Sequence, residues 1–264
     1  MAIYYNSNIV TSNLQMYYDW ANPRCYTGAG STVNNISTFY NLVDAGRNVG
    51  YTKNAVAYTN TGIKYLSTNG AQSGAIYNVG SRIDMNTSGA GIDRFGANSF
   101  SIMFWVNQTN PGSGRLMSTG SAGTGTGDSD QCVWYMWCDT NTYYWWNSGG
   151  GGTNNISATG TWHTPGTWQL IGFTYSYNEG GNDIVRCYTN GVQQFSGTTA
   201  TSVHSYIDRS NETIMQWTLG GGYSSSCYNT NVAASFGTFM LYNTKLTDAQ
   251  MLQNFQTQRS RYGV

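Results

Sequence analysis

The chain has 264 residues, with 12 Lys and Arg against 12 Asp and Glu and only 9% of positions charged, so it carries no net field to draw in nucleic acid or an acidic membrane surface. Its 15% aromatic content, with 21 Tyr and 9 Trp, and its 33 Gly exclude an ordinary helical protein and favour strands joined by many turns. No segment is apolar for long enough to cross a bilayer as a helix, and five Cys without a C-x-x-C pair read as buried free thiols from a reducing cytoplasm, not as a disulfide framework or a zinc site.

In chain order, Met1-Ala2-Ile3-Tyr4-Tyr5-Asn6 lacks the basic and apolar pattern of a secretory signal, and residues 1–13 read as an N-terminal arm. Strands are predicted at Leu14–Tyr18, Ser99–Asn107, Cys132–Cys138, Tyr143–Asn147, Trp168–Tyr175, Ile184–Thr189, Met215–Gly220 and Ser235–Tyr242, each bounded by turn residues. In the second of these, Phe100, Ile102, Phe104 and Val106 alternate with their neighbours and form the first candidate core face. The Gly-rich stretches at 120–127 and 149–152 are loop tips on either side of an aromatic block. Asn190-Gly191, between Val185-Arg186-Cys187-Tyr188 and Val192-Gln193-Gln194-Phe195, predicts a hairpin whose two central residues have positive φ. A helix is predicted from about Asp248 to Arg259, capped by Thr247 with Gln250 closing a capping box and Leu246 stapled onto Met251. Met251, Leu252 and Phe255 are its expected apolar stripe. No repeat, charge run or Pro-rich linker divides the chain, so residues 1–264 are expected to form one domain.

This order of motifs resembles the laminin-G/concanavalin-A-like domains frequent in bacteriophage virion proteins and in secreted carbohydrate-binding modules. The resemblance rests on Leu14-Gln15-Met16-Tyr17-Tyr18-Asp19-Trp20-Ala21-Asn22-Pro23-Arg24-Cys25-Tyr26, which is similar to the opening of phage versions. It continues through the segments 100–106, 166–175 and 187–192, and closes with 237–250 running into Arg261-Tyr262-Gly263. It implies an all-β, two-sheet antiparallel jelly-roll sandwich with a short C-terminal helix, and binding in preference to catalysis.

The residues themselves agree that hydrolytic chemistry is missing. Glycosidases place an acid and a second carboxylate across the scissile bond, but the only two Glu, Glu179 and Glu212, stand alone in loop-like sequence. His163 and His204 lie outside any strand pattern that would make either a general base, and there is no nucleophile elbow, phosphate loop or H-E-x-x-H. No cofactor is called for. Asp128 and Asp130 are a candidate calcium-binding pair, although two carboxylates do not fill a coordination shell and a solvated loop is the alternative.

The binding candidates come from the aromatic block. Cys132, Trp134, Met136 and Cys138 alternate with Val133, Tyr135 and Trp137, so a strand here carries large apolar groups on both faces. After the turn-prone Asp139-Thr140-Asn141-Thr142, Tyr143-Tyr144-Trp145-Trp146 repeats the pattern. Trp134 and Met136 are assigned to the core, and Tyr135, Trp137, Tyr144 and Trp146 to a contact surface, with a covering third layer as the alternative. Two functions fit. The first is a non-enzymatic virion component such as a capsid decoration, head fibre or tail protein, assembled in the host cytoplasm. It would meet other virion proteins, cell-surface glycan or further copies of itself. The second is a lectin-like module outside any virion.

Overall fold

The computed structural model describes residues 8–26, 32–33, 38–43, 50–53, 56–59, 65–69, 82–86, 99–108, 114–121, 132–139, 142–147, 164–200, 215–220 and 232–264. In the first part of the chain lie β1 (Leu14–Asp19), β2 (Thr32–Val33), β3 (Thr38–Phe39), β4 (Gly50–Lys53), β5 (Val56–Thr59), β6 (Tyr65–Asn69) and β7 (Arg82–Asn86). The middle supplies β8 (Phe100–Asn107), β9 (Gly114–Ser121), β10 (Cys132–Asp139) and β11 (Thr142–Asn147). The last part supplies β12 (Gln169–Glu179), β13 (Asn182–Thr189), β14 (Val192–Ala200), β15 (Met215–Leu219), β16 (Ala233–Tyr242) and the helix α1 (Asp248–Gln258). A 3-10 turn at Arg259–Tyr262 follows α1.

Among the described residues the strands form two sheets. The larger has nine strands in the order β14-β13-β12-β8-β16-β6-β5-β2, with β1 also on β16, and the smaller has seven in the order β11-β10-β9-β15-β7-β4-β3. Their pairings are antiparallel. This is the expected all-β sandwich of the concanavalin-A-like kind. The eight predicted strands are all present. Strands β2 to β7 are short and carry Thr, Gly, Asn and Lys without a strong apolar alternation, so that neither they nor β9 are among the strands expected from the sequence.

The predicted hairpin is there. Asn190 and Gly191 have φ of 54° and 79° and join β13 to β14 where Thr189 pairs with Val192, as a two-residue turn matching strand twist requires.

Phe100, Ile102, Phe104 and Val106 are fully buried between the sheets, with Met16, Tyr18, Trp217, Phe236, Phe239 and Leu241 in the same core. The Phe100 and Trp217 rings are 6.3 Å apart, which sets β8 over β15. Ser101, Met103 and Trp105 on the other face of β8 are buried as well, because α1 covers the outer side of the large sheet. Met103, Trp105, Leu170, Tyr188, Met240, Leu246, Met251, Phe255 and Tyr262 form this second core.

The capping box of α1 is present: the Gln250 N–H donates to Thr247 Oγ1 and the Thr247 N–H to Gln250 Oε1, at 3.2 and 2.9 Å. The buried stripe keeps Met251 and Phe255 of the expected one, loses Leu252 and adds the polar Asn254 and Gln258. Met251, Asn254, Phe255 and Gln258 face the sheet, whereas Leu252 is 37% exposed and passes over the β13–β14 turn, where a Cβ on Gly191 would lie 2.7 Å from the Leu252 Cα. A helix repeats every 3.6 residues, so 251, 254, 255 and 258 share one face and 252 falls at its rim.

Residues 8–13 of the expected arm run beside this helix. The Val10 N–H donates to Asn254 Oδ1 at 2.8 Å, the Tyr242 hydroxyl donates to the Val10 carbonyl at 3.0 Å, and Gln253 Nε2 donates to the Asn8 carbonyl at 2.7 Å.

Candidate functional site

With α1 on the outer side of the large sheet, the aromatic block lies on the other half of the sandwich. β10 and β11 pair in unbroken register from Trp134↔Asn147 to Asp139↔Thr142. Tyr135 is opposite Trp146 and Trp137 opposite Tyr144. Met136, between them and opposite Trp145, is fully buried in the core between the sheets. Successive strand residues alternate between faces, so Tyr135, Trp137, Tyr144 and Trp146 all occupy the outer face of the small sheet. The four candidates thus form two adjacent rows, with partner strands about 4.8 Å apart.

The rows extend onto β9, where Ser118 is opposite Tyr135 and Arg115 opposite Trp137. Sequence reasoning missed Arg115, since only strand register brings it to the aromatic residues. The Ser118 row continues to Thr218 on β15. Thr218 is fully buried, so the outer face is covered at that central strand.

Asp128 and Asp130, proposed as calcium ligands, lie outside the described residues, as do His163, His204 and Glu212. Among the described residues no group of three or more His, Cys, Asp or Glu is placed to hold a metal ion. Cys25 and Cys187 are free and buried, and burial pushes both thiols up.

Several carboxylates serve the framework. Glu179 ends β12, where it accepts from Arg186 at 2.6 Å and Lys245 at 2.7 Å. The Arg186 guanidinium, and after it the Lys245 ammonium, hold its carboxyl down at about 2. It is therefore an anchored strand residue and not the isolated loop residue expected. Asp183 accepts from the Tyr175 hydroxyl at 2.7 Å and the Asn178 N–H at 3.0 Å. Asp19 pairs with Arg261 at 2.8 Å, and Asp248 accepts from the Tyr188 hydroxyl at 2.8 Å.

The fold has clear counterparts among solved structures. A Trypanosoma rangeli sialidase in complex with sialic acid superposes with a TM-score of 0.62 at 15% identity, over 96% of this chain and 34% of that one. A mutant of the same sialidase displaying trans-sialidase activity gives 0.63 at 14%, over 97% and 34%. The binding domain of botulinum neurotoxin DC in complex with rat synaptotagmin II gives 0.59 at 12%, over 86% and 52%. The chain therefore spans about a third of the sialidase and half of the toxin domain, and at these identities the likeness is one of fold. No curated protein sequence matches it. The Laminin_G_3 family model matches residues 80–251, well over half of the chain, and the protein belongs to that family, part of the concanavalin A-like lectin/glucanases superfamily.

Proposed function

We propose that this protein is a non-enzymatic adhesion module of a bacteriophage virion that holds glycan on the outer face of its β10–β11 hairpin. The observation that carries the binding site is the register: Tyr135 with Trp146 and Trp137 with Tyr144, directly opposed on the face away from the buried Met136. Aromatic rings offer flat apolar surfaces to the C–H faces of sugars while hydroxyl and indole groups bond to sugar hydroxyls. A binding role in place of catalysis is supported by the framework contacts that occupy Asp19, Glu179, Asp183 and Asp248.

The virion setting, with assembly in the host cytoplasm alongside other virion proteins or further copies of the chain, is supported by the phage-like opening at 14–26 and ending at 261–263. A lectin-like module outside a virion shares the same site and is the second reading.

Tyr135→Ala with Trp137→Ala is expected to leave thermal unfolding nearly unchanged while abolishing glycan binding in an array or titration. Loss of folding in that double variant would make the rings core and remove the site. A stoichiometric band in purified particles is expected under the virion reading; soluble protein absent from particles would select the second.

A further inference from the structure

An Asn followed by Gly is chemically vulnerable as well as turn-forming, because the Gly nitrogen can attack the Asn side-chain carbonyl carbon and no side chain on Gly hinders it. The chain has two such dipeptides, Asn69-Gly70 and Asn190-Gly191. In the second, attack would join the Gly191 nitrogen to the Asn190 Cγ, the proton of that N–H would pass to the departing amide, ammonia would leave, and a cyclic imide would remain. Water opens such an imide at either carbonyl. One opening gives Asp at position 190. The other gives isoaspartate, in which the main chain runs through the former side-chain methylene.

The β13–β14 turn holds both reacting groups off that path. Ring closure requires rotation about the Cα–C and Cα–Cβ bonds of Asn190. The first rotation would carry Gly191 out of the turn, in which the two residues have φ of 54° and 79°, and would part Thr189 from Val192. The second is resisted by β12: the Asn190 Oδ1 accepts from the Leu170 N–H at 2.9 Å, while the Asn190 N–H donates to the Leu170 carbonyl at 2.8 Å. Leu170 is fully buried, so swinging the carboxamide away would leave a buried N–H unpaired, which is costly. Gly191 is itself buried. A Cβ on it would lie 2.7 Å from the Leu252 Cα, so α1 also restricts the access of solvent base to the Gly191 N–H.

We infer that Asn190 is a deamidation site that the fold keeps latent: its carboxamide survives while the hairpin is closed against Leu170 and Leu252, and is converted to Asp or isoaspartate when the hairpin opens. The two products differ in what they allow next. Asp keeps the turn, because it tolerates positive φ and its carboxylate accepts more strongly than an amide from the Leu170 N–H. Isoaspartate adds a methylene to the main chain of a two-residue turn whose length sets the register of β13 on β14, and the hairpin cannot close on it as before. Opening of the hairpin is thereby recorded covalently, and in the isoaspartate product it is not reversed.

The test is to hold the full chain in warm, mildly alkaline buffer, native or unfolded in urea, and to follow the peptide containing Asn190 by its mass gain from amide to acid and by isoaspartyl methyltransferase labelling. In urea Asn190 and Asn69 should react at similar rates. In the native protein Asn190 should react about ten-fold or more slowly than in urea, since the rate there follows the population of the open hairpin. Thr247→Ala, which weakens the cap of α1, should raise the native rate at Asn190 and leave the rate in urea unchanged. When chains partly deamidated in urea are refolded and the folded fraction is mapped, Asp at position 190 should be retained and isoaspartate depleted, and Asn190→Asp should fold with a nearly unchanged melting temperature. A native rate equal to that in urea, a native rate that Thr247→Ala leaves unchanged, or a folded fraction as rich in isoaspartate at position 190 as the unfolded pool overturns the inference.

Discussion

Tyr262 is where the chain closes over its own outer core, and its removal should be costly. The side chain is 2% exposed, its ring stacks on Trp105 with centroids 4.1 Å apart and planes 16° from parallel, and Trp168 lies 5.0 Å away on another side. Truncating a buried aromatic residue to Ala costs about 3–5 kcal/mol, and an aromatic pair contributes about 0.5–1.5 kcal/mol beyond its area. Tyr262→Ala is therefore expected to cost about 4 kcal/mol. At about 2–4 °C per kcal/mol for a domain of this size, the melting temperature should fall by roughly 8–16 °C. A second substitution makes the reasoning specific. A Cβ on Gly237 would crowd the hydroxyl edge of the Tyr262 ring, 2.5 Å from Cε1 and 2.6 Å from Cζ, so Gly237→Ala alone should cost about 1–3 kcal/mol through overpacking. In the Tyr262→Ala background, where the methyl group enters the vacated space, it should cost almost nothing. Urea denaturation of the four proteins, followed by circular dichroism, gives the coupling energy. A loss below about 1 kcal/mol for Tyr262→Ala, or additive effects of the two substitutions, would refute the packing argument.

Two further outcomes follow from charge and burial. Glu179, held at about 2 by Arg186 and Lys245, should contribute its stability in full above its unfolded value near ~4.3 and lose it as pH falls from there toward about 2. Its side chain is 37% exposed, so Glu179→Gln should cost no more than about 1 kcal/mol at pH 7, and the melting curves of the two proteins should converge in acid; a constant gap down to pH 2 would contradict the assignment. Cys25 and Cys187 should resist a thiol reagent in the native protein, and all five cysteines should label after denaturation; three or fewer labelled would reveal disulfides.

The parts of the fold legible in the sequence are those encoded by local periodicity. The alternation in β8, the Asn190-Gly191 turn and the Thr247–Gln250 capping box each sit within a few residues, and each appears as read. The burial of Met103 and Trp105 was not anticipated, because α1, the element that covers them, lies about 150 residues further along the chain, although a nearly continuous apolar run is itself a mark of a strand covered on both sides. The short strands β2 to β7 owe their place to neighbours supplied from elsewhere in the chain, and their own residues carry little signal. The site divides in the same way. Tyr135, Trp137, Tyr144 and Trp146 sit close together in sequence and the register sets them opposite one another in pairs, while Arg115 comes opposite Trp137 only through the pairing of a separate strand.

The position of β16 also governs when the protein can fold. It is held between β8 and β6 and pairs with β1, and the Tyr242 hydroxyl at its end reaches a carbonyl 232 residues earlier. Chains dominated by such distant pairings fold slowly, and a nascent chain emerges from its N-terminal side at about 5–20 residues per second. Until Tyr242 has left the ribosome, β1, β6 and β8 lack the strand that joins them and expose apolar surface and unpaired edges. Synthesis therefore imposes a waiting period on the strands that β16 joins, and a chain interrupted before β16 is left with its large sheet divided between β8 and β6, open to chaperone capture or proteolysis.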